Sequence, residues 1–358
     1  MSNIVCIGAG QTGRGYINRF FRNNRIVFLD KNKDLVKMLQ NNESYTVSFG
    51  KEKDSLILDN YNAYQIDTDE ALDTLKEADL VMISVGQKNL KDVSSILKKS
   101  LQERKKQDID IITCENGVNV KKELLELQND SRVHLAEAIV FCTTLNTQGT
   151  LDILSENLDY LPYDVISLGH ELVYENMVAE KNLGVLMQRK IYTYNCISAI
   201  VSYLGYYKGY TVYGEAANDL EIDLCIQNVV NELNKCICSE YGTDEIEQEK
   251  FSKMAIRKFQ NKSIVDTIER NARDVDRKLG VHERIVAPLL IMNKYGVKCD
   301  ALLLVASCAI YYGYKTNTLV KEPKEYFVSL PKEWVEQIKK FIDLLDSNVT
   351  ISEILEYR

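Results

Sequence analysis

Residues 3–30 read NIVCIGAGQTGRGYINRFFRNNRIVFLD. The run Ile4, Val5, Cys6, Ile7 is apolar without alternation, the pattern of a strand buried on both faces. Gly8, Gly10 and Gly13 follow as G-x-G-x-x-G, with Gln11 and Thr12 inside the motif. Tyr16, Ile17, Phe20 and Phe21 then predict the inner stripe of a short helix. Asn23-Asn24 turns the chain, Ile26 to Leu29 make a second buried strand, and Asp30 ends it. One glycine permits the tight turn, one lets backbone approach a pyrophosphate, and one lets helix and strand pack closely. The helix start would offer unpaired N–H groups and a positive dipole end to phosphates. Asp30 stands about twenty residues beyond the first glycine, where a carboxylate grips the adenosine ribose of NAD. A G-x-G-x-x-G alone would serve equally as a structural turn. With strand, helix, strand and acid in register, it predicts an NAD site built on Gly8, Gly10, Gln11, Thr12, Gly13 and Asp30.

Outward from this stretch the pattern repeats. A charged helix at 32–39 precedes residues 44–66, whose alternation predicts a small antiparallel insertion. Residues 71–76 are helical, and DLVMISVG at 79–86 is a third buried strand that stops at Gly86. A helix follows at 90–101, then a strand at 109–113 and Cys114-Glu115-Asn116-Gly117. Strands alternating with helices predict an α/β fold, a doubly wound (Rossmann) parallel sheet with ligand outside the strands' carboxyl ends. Gly86, Glu115 and Asn116 fall there as cofactor-binding candidates; plain turn chemistry is the alternative for Asn-Gly.

Residues 135–174 mix short strands and turns and complete this domain. From Leu183 the character becomes helical, with patterns at 186–203, 220–241, 264–279, 301–312 and 334–345. The 220–241 pattern sets Ile226, Val229, Val230, Leu233 and Ile237 on one face and Gly242 as its C-cap. The expected organisation is a Rossmann domain over 1–183 and a mostly α-helical domain over 184–358, with substrate in the cleft between them.

At 358 residues, two domains are the natural expectation. A net charge of −8 argues against nucleic acid or an anionic membrane as a bulk partner. The nine cysteines are scattered, mostly within apolar runs and without metal-ligand spacing, which predicts reduced thiols in a cytoplasmic protein and no metal site. The chain enters its first strand at once, leaving no room for a signal peptide, and its longest apolar run, 301–312, is too short to span a bilayer.

A nicotinamide enzyme needs a group that takes the substrate's hydroxyl proton and donors that polarise its carbonyl. The segment QRKIYTYNCIS, 188–198, offers Lys190 and Asn195, five apart and so about 140° from one another on an α-helix. A desolvated Lys190 beside Arg189 could act as a general base, and Asn195 supplies an uncharged donor. On spacing alone, an exposed lysine and a backbone-bonded asparagine fit better. A second constellation, Arg270, Arg273 and Arg277 at i, i+3, i+7 with Lys278 beside it, could hold a phosphate or, interleaved with Glu269, Asp274 and Asp276, form a solvated ion-paired face.

Segment 188–198 resembles the K-x-x-x-x-N-x-x-H signature of the polyol-specific long-chain dehydrogenases, the mannitol dehydrogenase family. YLGYYKGYTVYGEA at 203–216, KFQNKSIVDTIERNARDVDRKLGVHERIVAPLL at 258–290, the GAGQTGRGYI turn and the CEN tripeptide at 114–116 resemble its mannitol-1-phosphate 5-dehydrogenase branch. The resemblance covers nearly the whole chain. It implies an NAD-dependent oxidoreductase moving hydride between nicotinamide and a polyol phosphate or ketose phosphate. Lys190 is then the base, Asn195 the oxyanion donor, and Arg270, Arg273, Arg277 and Lys278 the phosphate cations. The signature departs at its third position, where Ser198 replaces the histidine, and the V-D-R-I-x-P segment is absent from CTTLNTQG at 142–149. One lost oxyanion donor costs about a hundredfold to a thousandfold in rate. A dehydrogenase for an unphosphorylated polyol or sugar acid, or a non-catalytic relative that binds NAD or sugar phosphate, are the alternatives.

Overall fold

A computed structural model describes residues 2–50, 54–115, 117, 120–347 and 349–356. The chain forms two compact units, Met1–Gly184 and Val185–Arg358. In the first, β1 (Ile4–Ile7) and β2 (Ile26–Asp30) precede β3 (Tyr45–Ser48), β4 (Ser55–Leu58) and β5 (Tyr61–Gln65). Then come β6 (Leu80–Ile83), β7 (Ile109–Thr113), β8 (Val133–Glu137), β9 (Thr144–Asn146), β10 (Ile153–Ser155), β11 (Leu161–Asp164) and β12 (Met177–Glu180). The main sheet has the order β5-β2-β1-β6-β7-β8, and every pair in it is parallel.

The run Ile4–Ile7 is apolar throughout because β1 lies between β2 and β6 with a core on each face. Ile4 and Cys6 enter one cluster with Phe28 and Met82, while Val5 and Ile7 enter the other with Leu29, Val81 and Ile83. Strand order reverses between β1 and β6, so the loops after these two strands diverge and leave a crevice at their carboxyl ends.

The segment after the glycine turn departs from the amphipathic helix expected. One α-turn, Gln11–Gly15, gives way at Tyr16 to a 3-10 helix, Ile17–Phe21. All five of its residues are buried, so it has no solvent face. Even Arg19 is turned inward, to Ser155 Oγ at 3.2 Å, the Glu156 carbonyl at 2.9 Å and the Asp159 carboxylate. The antiparallel insertion is also narrower than expected. β3 and β4 pair antiparallel, and β3 continues a small second sheet by pairing with β10. β5, within the same predicted stretch, instead joins the edge of the parallel sheet beside β2.

The second unit is helical, with its long helices at Cys196–Tyr207, Leu220–Tyr241, Glu245–Gln260, Asp300–Thr316 and Lys332–Leu345. Asp219 caps Leu220–Tyr241 by accepting from Glu221 N and Ile222 N, and Gly242 ends it at φ +64°. Helix Glu245–Gln260 was not anticipated, because its apolar residues are few and irregular. Its N-cap Asp244 accepts from Glu247 N at 2.9 Å. Asp300–Thr316 is buried almost all round, and among the described residues no helix is long and apolar enough to cross a membrane.

Candidate active site

The glycines divide their work as backbone geometry requires. Gly8 adopts φ +102°, and a Cβ there would run into the Ser84 carbonyl; one on Gly13 would run into the Gly8 carbonyl. These two seal the turn against its own strand and against β6. Gly10 differs, with nothing within 4 Å of where its Cβ would stand. It precedes helix Gln11–Gly15, whose first N–H groups receive no side-chain cap from it. Gln11 and Thr12 are half-buried on that first turn. The open side at Gly10, beside uncapped N–H donors, fits a pyrophosphate.

Asp30 is tied to the same turn. Its Oδ2 accepts from Ala9 N at 2.7 Å and its Oδ1 from Asn32 N at 2.9 Å. Each carboxylate oxygen keeps lone pairs for hydroxyl donors such as those of a ribose. Beyond β6, Gly86 turns at φ +85°. One oxygen of Glu115 accepts from Val85 N at 2.6 Å and Gly86 N at 2.8 Å. Burial raises the Glu115 carboxyl against the pull of those two donors. Glu115 is therefore a strut between the loops after β6 and β7. Asn116, the other candidate there, lies outside the described residues. A link without a sequence signal joins the loop after β2 to this one: Lys31 donates to Asn89 Oδ1 at 3.1 Å, and Asn89 donates to the Val85 carbonyl at 2.6 Å.

In the helical unit, Leu183–Lys190 does not run on as an α-helix. Ile191–Asn195 is a π turn, with Cys196 N bonding the Ile191 carbonyl, before helix Cys196–Tyr207 resumes. This corrects the 140° expected between Lys190 and Asn195. In an i→i+5 turn each residue turns the chain through less than the 100° of an α-helix, so Asn195 lies nearer the side of Lys190 than 140° implies. Lys190 is 5% exposed. Burial, with Lys258 and then Arg284 as neighbouring cations, pulls its amine down to about 7. Arg189, expected to contribute, is turned away: its Nε donates to Gln248 at 3.0 Å and its NH1 to Glu247 at 2.8 Å. Ser198 is half-buried, and its carbonyl accepts from the Ser202 hydroxyl at 2.6 Å. Among the described residues, neither the Ser198 hydroxyl nor the Asn195 amide is engaged by a protein partner. Of the histidines, His170 bonds Asp110 at 2.9 Å and packs on His134 in the first unit, and His282 is exposed.

The arginine constellation is not a helix face. Helices Ile268–Ala272 and Val275–Lys278 are separated where Arg273 is extended and Asp274 turns left-handed at φ +60°. Arg270 pairs with Asp266 at 2.5 Å, Arg277 with Glu283 at 2.8 Å, and Arg273 is exposed. Only Lys278 is buried, donating to the Asn271 carbonyl. Burial, then the cations Arg284 and Arg277, pulls it down to about 7. Arg284 thus acts on both depressed lysines, and it and Lys258 are the cations that spacing missed. Their one signal was a cation beside an apolar run, as in RIVAPLL at 284–290.

The chain matches the family model of the mannitol dehydrogenase Rossmann domain over residues 2–146 and that of the mannitol dehydrogenase C-terminal domain over residues 182–356. It is 30% identical to a mannitol-1-phosphate 5-dehydrogenase of Oceanobacillus iheyensis, over 85% of this chain and 84% of the relative. It is 25% identical to one of Caldanaerobacter subterraneus, over 99% of this chain and 96% of that relative. The fold is similar to that of Pseudomonas fluorescens mannitol 2-dehydrogenase, solved in ternary complex with NAD and D-mannitol. The TM-score is 0.77 at 14% identity, over 99% of this chain and 94% of that one.

Proposed function

The chain belongs to the mannitol dehydrogenase family, and from that premise we propose that it oxidises a polyol phosphate to a ketose phosphate with NAD, and the reverse. Mannitol 1-phosphate and fructose 6-phosphate are the substrate pair proposed. The observation that carries the reading is the buried Lys190 amine, drawn down to about 7 immediately before the π turn that carries Asn195.

Gly8, Gly10, Gln11, Thr12 and Gly13 would hold the pyrophosphate, and Asp30 the adenosine ribose. NAD, when bound, supplies the hydride acceptor or donor. Above pH 7 Lys190 is largely neutral and takes the proton of the substrate hydroxyl. A base titrating near the working pH is the efficient choice. Asn195 donates to the oxygen as its negative charge develops. The Ser198 hydroxyl is shorter than the family's imidazole and reaches that oxygen only through a water.

A phosphorylated substrate is favoured by charge. Arg284 bears on both Lys190 and Lys278, Lys258 adds to the charge at Lys190, and both buried lysines give up protons more readily than ordinary ones. A dianion relieves that repulsion. Arg270 and Arg277, already paired with carboxylates, are left out of this role, as is exposed Arg273. The test is NADH oxidation against fructose 6-phosphate, fructose and a panel of keto acids. Fructose 6-phosphate is expected to give kcat/KM on the order of a hundredfold above fructose, as one or two charge-assisted hydrogen bonds provide. A preference for fructose or for a keto acid overturns the phosphate assignment, and NADH binding without any turnover identifies a non-catalytic relative.

A further inference from the structure

We propose that Gln248 is the positioning residue of this site, its side-chain amide holding Arg189 and Thr193 on either side of Lys190 and so keeping the π turn wound. The proposal rests on the reading of Lys190 as the proton acceptor. Gln248 is fully buried on helix Glu245–Gln260. Its Oε1 accepts from Arg189 Nε at 3.0 Å. Its Nε2 donates to Thr193 Oγ1 at 3.1 Å and to Asn234 Oδ1 at 3.0 Å. Ser252 Oγ, 2.8 Å from the same Asn234 oxygen and 3.1 Å from the Gln248 carbonyl, braces the amide from behind.

Arg189 lies in the last α-turn and Thr193 in the π turn, so one amide spans the place where the winding changes. An i→i+5 turn is a poor choice for an isolated helix and persists where tertiary contacts hold it. The same helix supplies the apolar half of the clamp. Phe251 packs on the Arg189 guanidinium at 4.9 Å and on the Tyr194 ring at 5.0 Å. Phe259 meets Tyr194 from the next turns at 6.3 Å. A buried polar network with its bonds made is rigid and specific, and loosens as a unit when one member is lost.

The cations that lower the Lys190 amine beside burial are Lys258, from this helix, and Arg284, from the segment before helix Val286–Lys294; Glu247 is occupied by Arg189. A loosened turn admits water to the amine, which restores its affinity for a proton. Its titration, and the acid limb of kcat, then move to higher pH. A misplacement of about 1 Å costs on the order of a hundredfold in rate.

The variants are Gln248→Leu, Thr193→Val, which keeps shape without the hydroxyl, and Thr193→Ser, which keeps the hydroxyl. Three quantities are measured on the full chain: kcat against pH for mannitol 1-phosphate with NAD, NADH affinity, and the titration of Lys190 by competitive acetylation and mass spectrometry. Thr193→Val and Gln248→Leu are expected to lower kcat about tenfold to a hundredfold and to raise the Lys190 titration by about one pH unit or more. NADH affinity should stay within about twofold, and Thr193→Ser should restore wild-type values. Should Gln248→Leu not fold, Thr193→Val decides. A Thr193→Val protein with unchanged kcat and unchanged Lys190 titration overturns the proposal, even if its melting temperature falls. Turnover persisting in Lys190→Ala would overturn the reading of the base instead, and the acetylation titration would still decide the role of Gln248.

Discussion

The glycine turn after β1 and the π turn after Lys190 are the two segments to which the proposed function assigns its ligands, and they are held by opposite means. The first is held by backbone against backbone. Gly8 and Gly13 lie where a single Cβ would strike a carbonyl, and Asp30 reaches back only to Ala9. The second is held by side chains from far along the chain. Gln248 and Phe251 grip Arg189, Thr193 and Tyr194 across more than fifty residues. Gly13 is specified within its own segment and Gly8 by the close pass of Ser84 after β6, whereas the π turn is specified by the side chains of one distant helix.

The contrast can be broken most severely at the amine. Lys190→Ala should reduce turnover about a hundredfold to ten-thousandfold, the contribution of a positioned base. NADH affinity, read by fluorescence titration, should remain near wild type, since the nucleotide turn is held without it. Equal turnover in the variant would exclude Lys190 as base.

A gain is expected from the neighbouring position. Ser198→His restores the donor of the family signature just beyond the π turn, in the first turn of helix Cys196–Tyr207. kcat should rise on the order of a hundredfold, the worth of one oxyanion donor. No rise would show that the helix after the π turn presents position 198 away from the reacting oxygen.

The smallest effects separate the glycines from each other. Gly13→Ala must displace the Gly8 carbonyl and is expected to cost about 1–3 kcal/mol of stability, seen in denaturant unfolding. Gly10→Ala meets no protein atom within 4 Å. It should leave stability within about 0.5 kcal/mol while weakening NADH binding, because the methyl occupies the side left open for pyrophosphate. Equal effects in the two variants would remove the distinction between sealing and ligand-facing glycines.

This division also explains what the sequence disclosed. The dinucleotide turn was legible because strand, glycines and acid lie within thirty residues, and each is required by local sterics. The π turn was not, since nothing in IYTYN distinguishes i→i+5 winding from an α-helix. Residue types and spacing pointed to Lys190 and Asn195 and family resemblance gave them their roles, but the angle between them was taken from an α-helix that the π turn replaces. The arginine face failed for a local reason that spacing hides: Asp274 takes a left-handed turn, which ends one helix and starts another. Lys258 and Arg284 reach Lys190 from separate segments, and only the folded chain brings them to it.

A π turn is an α-helix carrying one residue more than its hydrogen bonds need. Removing one residue of the turn ahead of Asn195 would let Leu183–Lys190 and Cys196–Tyr207 fuse into an unbroken α-helix with the two segments still in phase. It would set the asparagine four residues from the lysine, about 40° around the helix. Asparagine and amine would still share a face; what would go is the bulge that Gln248 and Phe251 grip at Thr193 and Tyr194.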